Sequence, residues 1–460
     1  MSKYRIEKDS LGTVKVPQKA YWGAQTQRAI ENFPVSGIAF PEVFIKALAY
    51  LKLACAKTNA ESGLLNKKLA NSVIKACSEA IDGRLANHFP PDIFQTGSGT
   101  STNMNINEVL ATRANEILTG RKNTKAPVHP NDHVNMGQSS NDVIPSAIHV
   151  SAYLQVKNIL LPALEILHKS INSKARLYKR TVKTGRTHLM DAMPLTFGQE
   201  FSGWASQIED SIRRIKGALP AISELAIGGT AVGTGLNTSK NFGSRVAKKL
   251  SEQTGIRFRE AKNHFSAQSS QDAVAELSGE LKTSATGIMK IANDLRWMNS
   301  GPVSGLSEIR LPALQPGSSI MPGKVNPVIP ESVRMACVQV IGNDTVIAIA
   351  NSMGDFELNV MLPLITHNII QSITLLAKAS RLLAEKAIEG LEINKKHVRE
   401  LLQMNPIIAT ALNPVIGYDK AAEVVKKAVK EKKTVKQVVV ELGLLSSKEA
   451  DRILNPLLMT

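Results

Sequence analysis

The sequence predicts a mainly α-helical protein of three segments, organised around a central bundle of long helices. Aromatic residues make up only 4% of the 460 residues, while Ala, Leu, Ile, Lys and Glu fill long stretches. Helices with aliphatic seams use that mixture, whereas sheets draw on aromatic and β-branched side chains. Within 137–395, six stretches (145–178, 197–224, 239–254, 268–298, 330–351 and 360–389) keep a helical rhythm. Several exceed the ~10–14 residues usual for a globular helix, which points to a bundle. Leu160, Leu161, Leu164, Ile166, Leu167 and Ile171 give the first of them a broad apolar face. Covering such a surface takes further subunits, so an oligomer is expected.

The flanking segments follow the same logic. Residues 1–136 form a mixed, mostly helical segment. It opens with extended or turn-like pieces around Pro17 and the run Tyr21-Trp22-Gly23-Ala24-Gln25-Thr26-Gln27-Arg28. A helix follows from Pro41, carried by Val43, Ile45, Leu48, Leu51 and Leu53, and another covers 66–87 before Pro90-Pro91 stops it. Residues 396–460 form a small helical segment with turns at Asn405-Pro406 and Asn413-Pro414 and a helix over 419–430. Ser446, three residues before Glu449, is a capping-box signal for a last short helix.

Composition excludes several functions. Lys and Arg number 56 against 39 Asp and Glu, a formal charge of +17. The cations are spread out, and the densest group, Lys426 to Lys433, has no interleaved aromatics. A nucleic-acid partner is therefore not expected; the positive field suits capture of a small dianion. Cys55, Cys77 and Cys337 are odd in number and lie in apolar contexts. They read as reduced, buried thiols of a cytoplasmic protein, without zinc spacing. The first ten residues lack the apolar run of a signal peptide, and no uncharged apolar stretch of about 18 residues is long enough to span a bilayer. No membrane partner is expected.

Four polar islands interrupt the helical pattern. They are Gly97-Ser98-Gly99-Thr100-Ser101-Thr102-Asn103; His129-Pro130-Asn131-Asp132-His133-Val134-Asn135 with Gln138-Ser139-Ser140-Asn141-Asp142; Gly185-Arg186-Thr187-His188-Leu189-Met190-Asp191; and Gly317-Ser318-Ser319-Ile320-Met321-Pro322-Gly323-Lys324-Val325-Asn326-Pro327, followed by Glu331. Hydroxyls and amides ahead of helices bind carboxylate oxygens with free backbone N–H groups and the local positive potential. Any one island alone reads more readily as an ordinary cap than as a site. His188 alone is as readily an interior histidine, and Lys324 a surface charge. Asn131-Asp132-His133 is a solvated turn or a set of potential ligands, but no usual zinc spacing accompanies it, so no metal is expected. Gly228-Gly229-Thr230-Ala231-Val232-Gly233-Thr234-Gly235 lacks the Gly-Lys-Ser/Thr ending of a phosphate loop. It reads as a tight turn or as backbone lining a site. The last island mixes glycine freedom, proline restriction, two hydroxyls, an ammonium and an amide, the make-up of a loop that closes over an anion.

These islands make the chain resemble the fumarase/aspartase superfamily, and most closely its class II fumarate hydratase family. The superfamily signature Gly-Ser-Ser-x-Met-Pro-x-Lys-x-Asn stands intact at 317–326. The run from Trp22 to Arg28, Gly97 to Thr100 and Gly185 to His188 are similar to the hydratase family, and the likeness extends from about residue 5 through Thr410-Ala411-Leu412-Asn413 and Gly417-Tyr418. The resemblance implies a homotetramer with a long-helix core, active sites each assembled from three subunits, and no metal or organic cofactor. It also implies a reversible anti hydration of fumarate to (S)-malate. Ser318 would be the base, and His188, paired with Glu331, would handle the departing hydroxyl. Ser98, Gly99, Thr100, Ser139, Ser140, Asn141, Thr187, Ser319, Lys324, Val325 and Asn326 would form the substrate-binding set. A second carboxylate site would use His129, Pro130, Asn131 and Asp132.

Two alternatives remain open at the level of sequence. Thr100-Ser101, Leu314-Gln315-Pro316 and Pro327-Val328-Ile329-Pro330-Glu331 lean toward aspartate ammonia-lyase, which shares the signature loop and proton abstraction. A non-catalytic helical oligomer would be expected to have lost Ser318, His188 or Lys324; all three are present.

Overall fold

A computed structural model describes residues 3–460, so the first two residues of the N-terminal stretch lie outside the described residues. The chain divides into two compact units. One comprises Met1–Leu161, Arg213–Thr283 and Val338–Leu376; the other comprises Pro162–Ile212, Ser284–Cys337 and Ala377–Thr460. The sequence-derived divisions after 136 and 395 partition the chain differently, and neither coincides with a boundary of these units.

Strands β1 (Tyr4–Asp9) and β2 (Gly12–Pro17) form an antiparallel hairpin. The sequence showed only extended pieces there. Helix α1 (Ala24–Asn32) follows, then α2 (Glu42–Glu61), α3 (Lys67–Ile81) and α4 (Thr100–Thr119). Helix α2 is hydrophobic on nearly every side because it is core: Phe44, Leu48, Leu51, Ala54 and Cys55 are fully buried. Helix α5 (Ser140–Gln155) passes through a π turn at Val156–Leu160 into α6 (Leu161–Leu177). It begins five residues before the expected start at 145, since Ser139 caps it and Pro145 is accommodated inside the helix.

The third polar island is a β-hairpin rather than a plain loop, with β3 (Val182–Thr187) paired to β4 (Met190–Thr196). Further helices follow: α7 (Phe197–Ile222), α8 (Phe242–Thr254), the short α9 (His264–Ser269), α10 (Asp272–Met298), α11 (Val328–Asn351) and α12 (Leu362–Leu383). The single helix expected over 268–298 is broken because the Asn351 amide oxygen accepts the Gln271 backbone N–H at 2.6 Å, holding the chain extended at Ser270.

The C-terminal stretch carries α13 (Lys395–Met404), α14 (Asn413–Ile416), α15 (Tyr418–Glu431), α16 (Val435–Glu441) and α17 (Ser447–Ile453). Ile408, Leu412, Val424, Val438, Val439 and Leu454 pack into a core of their own. The Ser446–Glu449 capping box is formed as expected, and Thr434 with Gln437 makes another.

Two helical stretches, Ser140–Leu177 and Val328–Asn351, are long and apolar enough to cross a membrane by length and composition. Each carries charge, however, and Asp344 of α11 accepts from Ser278 at 2.8 Å and pairs with Lys282 at 2.5 Å. The Ser278 contact is buried, while Lys282 remains 46% exposed. The three cysteines are free and buried, as expected.

Candidate active site

In the first unit, the N-termini of α4 and α5 hold a chain of small hydroxyls. Ser98 Oγ lies 2.7 Å from Thr100 Oγ1, which lies 2.8 Å from Ser140 Oγ. Ser140 in turn donates to Asn141 Oδ1 at 3.3 Å. Gly99, with φ of 71°, supplies the left-handed turn into α4, and a Cβ there would press on Ile144 at 3.0 Å. Two helix N-termini and three hydroxyls thus share one place, which is chemistry for a carboxylate. Ser139 has a separate task. Its Oγ accepts the Asn141 backbone N–H, and its own N–H donates to Asp142 Oδ1, completing a capping box.

Asp142 is fully buried and also receives the backbone N–H groups of Gly228 (3.1 Å) and Thr230 (3.0 Å). Burial pushes its carboxyl up, while these N–H donors favour the charge. The glycine-rich run from Gly228 is therefore a turn held against the start of α5, and the Asn141 amide donates to Ala231 O at 2.8 Å. The Trp22–Arg28 run is anchored in a similar way. Backbone N–H groups of Gly23, Gln25 and Thr26, with the Thr26 hydroxyl, all donate to buried Glu108 of α4. Sequence reasoning missed both carboxylates as anchors. The second-site candidates form one π turn, Pro130–Val134, with His129 Nδ1 3.2 Å from Asp132 Oδ2 and with Asn131 and Asp132 exposed. Among the described residues no cluster of three or more His, Cys, Asp or Glu side chains could hold a metal.

In the second unit, Thr187 ends β3 and His188 and Leu189 form the turn, with φ of 56° and 60°. Two successive left-handed residues make the type of turn that suits hairpin twist, normally filled by Asn and Gly. Placing His and Leu there costs roughly 1–2 kcal/mol per residue. Strain of that kind collects at functional positions, and here it presents the imidazole outward at the hairpin tip. The strand is held from beneath. Buried Lys183 lies 2.9 Å from both Glu200 and Glu308, and Arg186 pairs with Glu308 at 2.7 Å.

The signature loop is closed by its own backbone. Gly317 N–H donates to Lys324 O at 2.7 Å, and Asn326 Nδ2 donates to Gly317 O at 2.8 Å. A Cβ on Gly317 would lie 2.5 Å from Lys324 O, so glycine is required. Inside this closure, Ser318 Oγ accepts the backbone N–H groups of Ile320 (3.2 Å) and Met321 (3.1 Å). Ser319, Lys324 and Val325 are exposed, and Glu331 lies in the first turn of α11. Lys324 has no acidic partner among the described residues, and no hydrogen bond or ion pair joins His188 to Glu331 within the chain.

Two cavities stand differently to the candidates. A cavity of about 1010 Å³ in the second unit is lined by Arg180, Arg399 and Leu454 among others and contains none of them. One of about 350 Å³ in the first unit includes Thr100.

Comparison with known proteins makes the chain a lyase. Residues 12–342 match the family described as Lyase, and residues 408–460 match Fumarase C C-terminus. A class II fumarate hydratase of Xylella fastidiosa is 55% identical over 100% of this chain and 96% of its own length. That of Mycobacterium tuberculosis is 52% identical over 99% and 96%. The crystal structure of class II fumarase from Schistosoma mansoni superposes with a TM-score of 0.96 at 42% identity, covering 99% of both chains. The chain belongs to the class II fumarate hydratase family of the fumarase/aspartase superfamily.

Proposed function

We infer that the chain catalyses the reversible hydration of fumarate to (S)-malate, with Ser318 as the base. The observation that carries the assignment of Ser318 is its Oγ receiving two loop N–H groups. A serine hydroxyl is a poor base in water, and preorganised donors of this kind favour its alkoxide. In the malate-to-fumarate direction, Ser318 takes the C3 proton and the adjacent carboxylate gains a second negative charge. Lys324, free of any acidic partner among the described residues, is available to that charge, with Asn326, Ser319 and the Val325 backbone beside it. The Ser98–Thr100–Ser140 hydroxyls, Gly99, Ser139, Asn141 and Thr187 hold the carboxylates. The C2–O bond then breaks, and His188, oriented by Glu331, supplies the proton with which the hydroxyl leaves as water. Base and acid on opposite faces give anti geometry. His129, Pro130, Asn131 and Asp132 form an accessory carboxylate site. No cofactor is needed for this chemistry.

Self-association belongs to the same proposal. Met335, Val338 and Ile349 of α11 are 69%, 59% and 53% exposed and recur along one side of the helix. That stripe is suited to helix packing in the core of a homotetramer. The exposed hairpin tip and loop, and the absence of a His188–Glu331 pair within the chain, fit active sites shared among three subunits. The assay is absorbance of fumarate formed from malate and from aspartate, offered separately. Formation from malate alone is expected; formation from aspartate alone would replace the hydratase by the ammonia-lyase.

A further inference from the structure

Helix α2 is core along most of its length, yet Lys52 sits in it with no measurable exposure. A buried ammonium is unfavourable unless pairing or hydrogen bonds offset its desolvation. Its Nζ donates to Asn103 Oδ1 and to Asn135 Oδ1, both at 2.8 Å. Asn103 lies in the first turn of α4, directly after Ser98–Thr100. Asn135 lies between the His129–Asp132 turn and Ser139. Asn135 Oδ1 also receives Asn103 and Asn107 at 3.2 Å each, and its amide donates to Gln138 O at 3.1 Å, next to Ser139. One cation therefore ties together the two helix starts that carry the hydroxyl cluster.

We propose that Lys52 is a positioning residue for dicarboxylate binding: through Asn103 and Asn135 it sets the α4 and α5 N-termini and adds a positive charge behind them. This rests on the hydratase assignment above. Desolvation lowers the Lys52 ammonium to about 8, so its charge falls away as pH rises through that value. The ionisable groups acting on it are Cys55 on its own helix, Cys77 on α3 and Asp142 on α5. Burial pushes both thiols up, Cys77 to about 12, so they stay neutral. Among the other charged groups on elements packed against α2, Glu108 of α4 is bound to the Gly23–Thr26 segment, His133 accepts the His129 N–H, and Arg245 and Lys249 of α8 pair with Glu61. Loss of the Lys52 proton changes the charge behind the cluster by one unit and weakens its hold on a dianion.

The test follows malate turnover and calorimetric binding of succinate from about pH 6.5 to 9.5 in wild type, Lys52→Met and Asn103→Asp. For wild type, succinate affinity and kcat/KM are expected to fall roughly tenfold as pH rises through about 8, chiefly in KM. Lys52→Met should lose roughly tenfold in kcat/KM at neutral pH, again in KM, and should lack the basic limb. Asn103→Asp places a carboxylate beside the ammonium, holds its proton and should move the limb to higher pH. A role in stability alone would move neither limb. The proposal is overturned if wild-type affinity is flat through this range, if Lys52→Met keeps the limb, or if Asn103→Asp leaves it in place. Should Lys52→Met not fold, wild type and Asn103→Asp still decide. Absence of malate turnover in wild type counts against the hydratase assignment instead, and succinate binding, which needs no turnover, continues to test Lys52.

Discussion

The hydroxyl cluster at the starts of α4 and α5 and the loop 317–326 are built in opposite ways. The cluster stands on buried polar groups: Lys52 and Asp142 are both fully buried and tie several segments together. The loop is exposed, with Ile320 at 83%, and depends on hydrogen bonds among its own residues. A binding surface for two carboxylates gains from rigidity, because preorganised donors need not rearrange around each substrate. A base that must be covered during reaction and uncovered for release belongs on an element that moves with few core contacts. Under the proposed roles, burial separates holding from reacting in this protein.

Substitutions on the two sides should therefore fail differently. Ser318→Ala removes the proposed base from a self-contained loop. We expect kcat to fall by about 10²–10⁴-fold while unfolding free energy stays within about 0.5 kcal/mol of wild type. Fumarate absorbance and urea denaturation read the two quantities, and a variant with near-normal turnover would remove Ser318 from its role. Asp142→Asn acts on the rigid side. It removes the charge that draws in three backbone N–H groups and should lower stability by about 1–3 kcal/mol. Urea denaturation again reads this change. A stable Asp142→Asn variant would show that the cluster does not depend on its buried support.

Much of this was legible in the residues. Long periodic stretches marked the helices, and the Ser446–Glu449 spacing marked the last one. The 317–326 loop was legible as an anion-closing element, because glycine, proline and hydroxyl spacing is a local property; roles for Ser318 and Lys324 came only with the family resemblance. The hairpin bearing His188 was not legible as strands. Its turn uses His and Leu where the usual signal is Asn-Gly, and its support comes from Glu200 and Glu308, distant in sequence. Lys52 and Asp142 were missed for a similar reason. A lysine among Leu51 and Leu53 reads as one polar position on an apolar helix, and only the folded chain brings Asn103 and Asn135 to it. Glu108 likewise looked like part of a polar helix start until the Trp22–Arg28 run was seen folded onto it.

The central claim is that the loop and the hairpin tip complete one site from different subunits. Ser318→Ala and His188→Asn proteins, each nearly inactive, can be unfolded, mixed in equal amounts and refolded together. If the two residues come from different chains, random assembly leaves about a quarter of the sites with both native residues. Fumarate formation should then return to about a quarter of the wild-type rate. A mixture no more active than its two components would place Ser318 and His188 of each site on one chain and contradict the account.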